Sequence, residues 1–258
     1  MQEQPQFLDV SGTRIAVRHQ AGGAPGLVWL GGFMSDMLGS KAETLAALAS
    51  QSGLSYTRHD YSGHGESGGA FRDGTISRWL AQSIAVFERY TEGPQILVGS
   101  SMGAWIALRM VQEINRGAAD DRIAGLILLA PAPDFTSDLH APKLTEDQIS
   151  SLATHGYFEA PSGYSDEPYV FTRELFEDGD KNRVLTGPID THCPVHILQG
   201  MEDPDVPYQH AEKLAALLSK DDVTLTFIKD GDHRLSRPED LSLLERTVTG
   251  MVETIRQG

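Results

Sequence analysis

The apolar run Ile96-Leu97-Val98 leads directly into Gly99-Ser100-Ser101-Met102-Gly103, and then into a long apolar segment from Trp105 to Ile114. That succession predicts a buried strand, one sharp turn and a helix packed back against the strand. Few folds accept it, because the chain must reverse within a handful of residues while both flanking elements stay buried. Glycine at 99 and 103 lets neighbouring backbone approach where a Cβ would not fit. The residue between them is thrust above the sheet edge. Ser100 would need glycine at 98, where valine stands, so the turn presents Ser101.

The rest of the chain supplies matching elements. Phe7-Leu-Asp-Val10 and Arg14-Ile-Ala-Val-Arg18 flank Ser11-Gly12 and read as a hairpin. Leu27-Val-Trp-Leu30 is a short, wholly apolar run ending in Gly31-Gly32-Phe33, as expected of a parallel strand delivered into a loop. Ser40 and Glu43 have capping-box spacing ahead of a helical face at Leu45, Leu48 and Ala49. Leu54 to Asp60 is the next strand, and it enters the glycine-rich turn Tyr61 to Gly69. That turn matches neither phosphate-loop pattern, so turn chemistry accounts for its glycines. A helix through Ile76, Trp79, Leu80, Ile84 and Phe87 ends near Gly93-Pro94, ahead of the strand that leads to Ser101.

After the apolar helix, Arg122 to Ala130 forms another buried strand. The β-α-β-α alternation implies an α/β fold: a mostly parallel central sheet with helices on both faces. It breaks down over residues 134–192, where short helical signals such as Lys143 to Leu152 lie among Phe135, Tyr157, Phe158, Tyr164, Tyr169, Phe171 and Phe176. This stretch is expected to be an inserted lid, with residues 1–133 and 193–258 forming the core. Alternation returns with a strand at Val195-His-Ile-Leu198, a helix from Gln209 to Leu218, a strand at Val223 to Ile228 and a closing helix from Pro238 to Ile255.

Serine is a weak nucleophile, and acyl chemistry on it needs a histidine to take its proton and an acid to orient that histidine. In open parallel sheets the ligand crevice lies beyond the strand C-termini. The strand at 195–198 is followed by Gly200-Met-Glu-Asp-Pro-Asp-Val-Pro207, which offers Asp203, with Glu202 and Asp205 as competitors. The strand at 223–228 is followed by Lys229-Asp-Gly-Asp-His-Arg234, which offers His233. His64, in the glycine-rich turn, is the nearest rival base; His140, His155, His196 and His210 sit on less suitable elements. The order Ser101, Asp203, His233 is the one α/β-hydrolases use. A tetrahedral oxyanion would be met by the amides of Met102 and Phe33.

With these residues in hand, the chain resembles an α/β-hydrolase. Asp60-Tyr-Ser-Gly63-His-Gly65-Glu-Ser67 looks like that fold's turn after the fourth strand, and Gly200-x-x-Asp203-x-x-Val206-Pro207 looks like its acid loop. Gly32 to Ala42, Asp60 to Gly63, Gly99 to Ala104, Cys193-Pro194 and Asp232-His-Arg234 are similar to the abhydrolase-domain-containing-protein-10 group. The resemblance implies palmitoyl-protein thioesterase and acyl-glucuronide esterase activity, with Ser101, Asp203 and His233 as the triad. Two features depart from the group. Gln199-Gly200 stands where His-Gly is more usual, and the opening Met1 to Phe7 does not look like a mitochondrial leader.

The expected activity is hydrolysis of carboxylic esters or thioesters through an acyl-enzyme, with no metal or organic cofactor. The expected partner is a small-molecule acyl ester or thioester, an S-acylated protein being a further candidate. Carbon-carbon bond hydrolysis and perhydrolysis on the same scaffold are the alternatives, with a non-catalytic small-ligand receptor behind them. A formal charge of −15 disfavours nucleic acid and anionic membranes as partners. No apolar run is long enough for stable membrane insertion. The single Cys193 fits a reducing compartment, which points to the cytoplasm.

Overall fold

The computed structural model describes residues 4–114, 122–161, 168–218 and 220–257. Eight strands form one sheet: β1 (Gln6–Val10), β2 (Thr13–Gln20), β3 (Gly23–Leu30), β4 (Leu54–His59), β5 (Gln95–Ser100), β6 (Ile123–Leu129), β9 (Val195–Gly200) and β10 (Val223–Ile228). Their spatial order is β1-β2-β4-β3-β5-β6-β9-β10. The pairings of β1 with β2 and of β2 with β4 are antiparallel, and every other pairing in this sheet is parallel. The predicted hairpin is present. Val10 pairs with Thr13 across Ser11 and Gly12, whose φ values of 51° and 81° are those of a turn that follows the strand twist.

The helices cover both faces. On one side, α1 (Ser40–Ser52) and α7 (Pro238–Gln257) bury Leu45, Ala49, Leu244 and Val248 against Leu27, Val98 and Leu129. On the other, α2 (Ile76–Tyr90), α3 (Met102–Ile114) and α6 (Tyr208–Leu217) enclose the larger core, built around Trp79, Trp105, Leu97 and Leu128. The central strands β3, β5 and β6 are apolar because both of their faces are covered.

One expectation about a helix start needs correcting. Ser40 and Glu43 make no capping box: Gly39 stands at the N-cap with no side-chain bond, and Glu43 pairs with Arg58 at 2.7 Å. The Arg58 guanidinium, nearly buried on β4, outcompetes a helix-end amide for the carboxylate because both partners of the bond are then charged. The helical signal in the stretch 143–152 is realised as α4 (Glu146–His155). Its capping box is made by Thr145 and Gln148.

Between β6 and β9 the chain forms a six-residue π-helical turn (Phe135–His140), α4, the hairpin β7 (Tyr157–Ala160) with β8 (Tyr169–Thr172), and α5 (Arg173–Lys181). Asp134 anchors the far end of this stretch to its start. Its buried carboxylate accepts the Val184 and Leu185 amides at 2.8 and 2.9 Å. Tyr164 lies outside the described residues.

Candidate active site

Ser101 is held in a left-handed conformation, φ 54°, between the last residue of β5 and the first of α3. Its amide donates to Leu129 O at 2.8 Å, and its carbonyl accepts from Ala104 and Ala132. The flanking glycines are explained by close approach. A Cβ on Gly99 would lie 2.5 Å from Gly103 O, and one on Gly103 would lie 2.0 Å from Leu30 O. Both obstructions are backbone, so neither position accepts a side chain without separating strand from helix.

Three loops bring their groups together at the strand ends. Ser101 Oγ lies 3.0 Å from His233 Nε2, and His233 Nδ1 lies 2.8 Å from Asp203 Oδ2. A carboxylate only accepts, so Nδ1 carries the proton and Nε2 presents a lone pair to the serine hydroxyl. The Asp203 side chain is fully buried and that of His233 is mostly covered. Asp203 Oδ1 accepts the amides of Asp205 and Val206 at 2.9 and 2.8 Å. Glu202 and Asp205, the competing acids, are exposed; Asp205 lies beside the pair on the cavity rim, but the carboxylate bonded to His233 Nδ1 is that of Asp203.

One partner of the acid was not anticipated. Gln199, at the position of the departure from the usual His-Gly, donates from Nε2 to Asp203 Oδ2 at 3.2 Å, and also faces the carbonyls of Gly200 and Val206. Three acceptors around one amide nitrogen fix which way the side chain is flipped. The only sequence sign was that substitution.

The rival histidines are placed elsewhere. His196 is half-buried on β9, and His210 Nε2 lies 2.7 Å from Pro133 O. His155 ends α4. His64 is buried in the turn after β4, and its Nε2 is engaged elsewhere, accepting from Met34 N at 3.2 Å. Burial pushes its pKa down to about 4. His140 lies on the cavity wall against Phe171, ring centres 4.6 Å apart, and burial pushes it down to about 4 as well.

A cavity of about 510 Å³ opens over Ser101. One side is aromatic and aliphatic, with Phe33, Phe135, Leu139, Phe171 and Val206; the other carries Ser35, Asp36, Lys41, Arg234 and Ser236. Burial lowers the Lys41 pKa to about 8, with the nearby Arg234 charge acting in the same direction. Phe33 and Met102 both line the cavity beside Ser101. Among the described residues neither of their amides donates a hydrogen bond to another protein group. Met102 is the first residue of α3, where amides lack intrahelical acceptors. Among the described residues, Asp203, Asp205 and His233 form a cluster with ligand atoms within 4.8 Å of one another. The facing atoms of Asp203 and His233 are already bonded to each other, which leaves the set poorly disposed to a cation.

Comparisons with known proteins bear on this geometry. Residues 21–242 match the family described as the alpha/beta hydrolase family. The chain is 32% identical over 248 residues to the mitochondrial palmitoyl-protein thioesterase ABHD10 of Mus musculus, covering 93% of this chain and 80% of the relative. A solved structure of mouse alpha/beta hydrolase domain-containing protein 10 superposes with a TM-score of 0.86 at 29% identity, over 98% of this chain and 100% of that one. A protein of Agrobacterium vitis S4, described only provisionally as a hydrolase, gives a TM-score of 0.92 at 52% identity over 96% of this chain and 98% of that one. Among the described residues no helix is long and apolar enough to cross a membrane.

Proposed function

Because this chain belongs to the alpha/beta hydrolase family, we propose that it cleaves carboxylic esters or thioesters through an acyl-enzyme formed on Ser101. The observation that carries the reading is the unbroken relay from Ser101 Oγ through His233 to Asp203, at 3.0 and 2.8 Å, beneath a cavity with an apolar wall. His233 Nε2 takes the hydroxyl proton as Ser101 attacks the acyl carbon. The amides of Phe33 and Met102 receive the charge that develops on the carbonyl oxygen, and the leaving alcohol or thiol departs with the proton held by His233. Water enters by the same path and frees the acid. Asp203 stays ionised, holding the imidazole in its tautomer and stabilising the imidazolium.

The substrate side of the reading is an acyl ester or thioester, with S-acylated protein included. It is supported by the palmitoyl-protein thioesterase activity for which the mouse relative is named and by the ring cluster of Phe33, Phe135, Tyr169 and Phe171, which suits an apolar acyl chain. Residues 134–192 act as a lid in this scheme, since the stretch supplies Phe135, Leu139, His140, Tyr169 and Phe171 to the cavity. A cytoplasmic setting is supported by the lone, buried Cys193. The relatives are named mitochondrial, and fractionation of cells that express the chain decides between the two.

The test is direct. A fluorophosphonate probe should label Ser101 alone, and Ser101→Ala should lose turnover of p-nitrophenyl butanoate by about 10⁴-fold or more. Full turnover by Ser101→Ala, or labelling elsewhere, would overturn the assignment. Esters of rising chain length beside an S-palmitoyl peptide and an acyl glucuronide then order the substrate classes.

A further inference from the structure

The loop that carries Phe33 is held by side chains from a different strand end. Phe33 N–H shares a peptide plane with Gly32 C=O, and that carbonyl accepts from Ser35 N at 3.2 Å. The next peptide plane carries Met34 N–H, which donates to His64 Nε2 at 3.2 Å. Three residues on, Met37 N–H donates to Asp60 Oδ1 at 2.7 Å, while Asp60 Oδ2 accepts from Glu66 N at 2.8 Å. The two planes that set the direction of the Phe33 amide are thus each held by one hydrogen bond. Met34 itself sits at φ 54°. A non-glycine residue adopts that conformation only at a cost of order 1 kcal/mol, so it persists where surrounding contacts dictate it.

The imidazole is set up to accept. His64 Nδ1 faces Ser62 O at 3.1 Å, and a carbonyl cannot donate, so the proton is on Nδ1 and the lone pair is on Nε2. The ring is 4% exposed and boxed in by Tyr61, Phe71 and Trp79, with centres 5.5, 5.1 and 5.3 Å away. Those walls leave it no room to rotate. They also disfavour the imidazolium, in which Nε2–H would meet Met34 N–H donor to donor.

We infer that neutral His64 is a positioning residue for the reaction, aiming the Phe33 amide at the oxyanion through its bond to Met34 N–H without touching substrate. This rests on Phe33 being an oxyanion donor, as proposed above. Without the bond the Gly32-Phe33-Met34 segment can relax from its left-handed turn, and the donor swings off the position where charge develops. The loss falls on the transition state, because a ground-state carbonyl makes weaker demands on that amide.

The experiment compares wild type with His64→Leu, which fills the space without an acceptor, and His64→Gln, whose side-chain oxygen can replace Nε2. Three quantities are read: kcat and KM for p-nitrophenyl butanoate, Ki for a trifluoromethyl ketone that forms a tetrahedral adduct on Ser101, and the thermal midpoint. His64→Leu is expected to lose about 30-fold in kcat with KM moved less than about threefold, Ki is expected to weaken in proportion, and His64→Gln should recover most of both. A purely structural role would lower the midpoint without that matched change in kcat and Ki. His64→Leu keeping kcat and Ki within about threefold of wild type overturns the inference. So does a ¹⁵N spectrum of the wild-type chain showing the His64 proton on Nε2, a measurement that needs no variant. Failure of the ketone to inhibit wild type would instead strike the Ser101 reading, and the inference with it.

Discussion

Gln199 donates to the same oxygen of Asp203 that accepts the hydrogen bond from His233 Nδ1–H, at 3.2 Å beside 2.8 Å. The acid is therefore positioned from both sides, and an amide does on one side what the imidazole does on the other. Gln199→Leu removes this donor and leaves the carbonyls of Gly200 and Val206 facing an apolar group. Hydrogen bonds to charged groups are worth about 1.5 to 3 kcal/mol, so kcat should fall about 10-fold or more. Gln199→Glu should be worse, since a second carboxylate would face Asp203. Steady-state kinetics on p-nitrophenyl butanoate check both, and unchanged kcat in both variants would show that Asp203 needs no second donor.

Gly103 and Gly250 make a contrasting pair. A Cβ at 103 would lie 2.0 Å from Leu30 O and 2.6 Å from Gly31 O, whereas one at 250 meets nothing within 4 Å. Gly103→Ala should destabilise by about 3 kcal/mol or more and abolish probe labelling of Ser101, because β3 and α3 must separate. Gly250→Ala, inside α7, should stabilise by up to about 1 kcal/mol. Denaturant midpoints measure both changes, and equal effects would contradict the close approach.

Phe171 stacks on Phe33 and on Phe158, with ring centres 5.4 and 5.3 Å away, and lines the cavity. Phe171→Ala should cost about 3 to 5 kcal/mol in stability. It should also move the preference among p-nitrophenyl esters toward longer chains, by several-fold in kcat/KM for octanoate over butanoate, since each methylene in an apolar pocket is worth about 1 to 3 kcal/mol. A chain-length profile that stays the same would place the acyl group elsewhere in the cavity.

Stability should fall on acidification. Burial holds His59 and His64 neutral, each with its pKa lowered to about 4 from an ordinary 6.5. Between those values the unfolded chain binds protons that the native chain does not. Their contribution is complete above pH 6.5 and lost as the pH falls toward 4. His140 acts in the same direction. Asp60 opposes them: burial raises it to about 6, against the pull of the Glu66 and Met37 amides, so the native chain holds a proton there that the unfolded one releases above about 3.8. The histidines outnumber it, and a net loss of several kcal/mol is expected between pH 7 and pH 4. Urea midpoints across that range measure it, and a midpoint that rose on acidification would reverse the sign.

Strand ends, turn glycines and residue order were legible because each is local. Ser101, Asp203 and His233 each follow a short apolar run, and a parallel sheet delivers all such ends to one edge. Gly99 and Gly103 were legible because a strand-to-helix reversal needs close backbone approach wherever it occurs. The Ser40 and Glu43 pattern was equally local and misled, because Arg58 on β4 supplied a stronger partner than any spacing rule could see.

By itself, then, the sequence determined the layered α/β architecture and which three residues can meet. Apolar periodicity and glycine placement act over a few residues and leave their mark in order along the chain. Only the tertiary structure decided how those residues are held. Gln199 is bonded to Asp203 because the acid loop folds back over the end of β9, and His64 reaches Met34 across thirty residues because β3 and β4 lie side by side. Hydrogen-bond direction depends on where acceptors lie in three dimensions, and that is fixed only once the sheet has brought distant loops together.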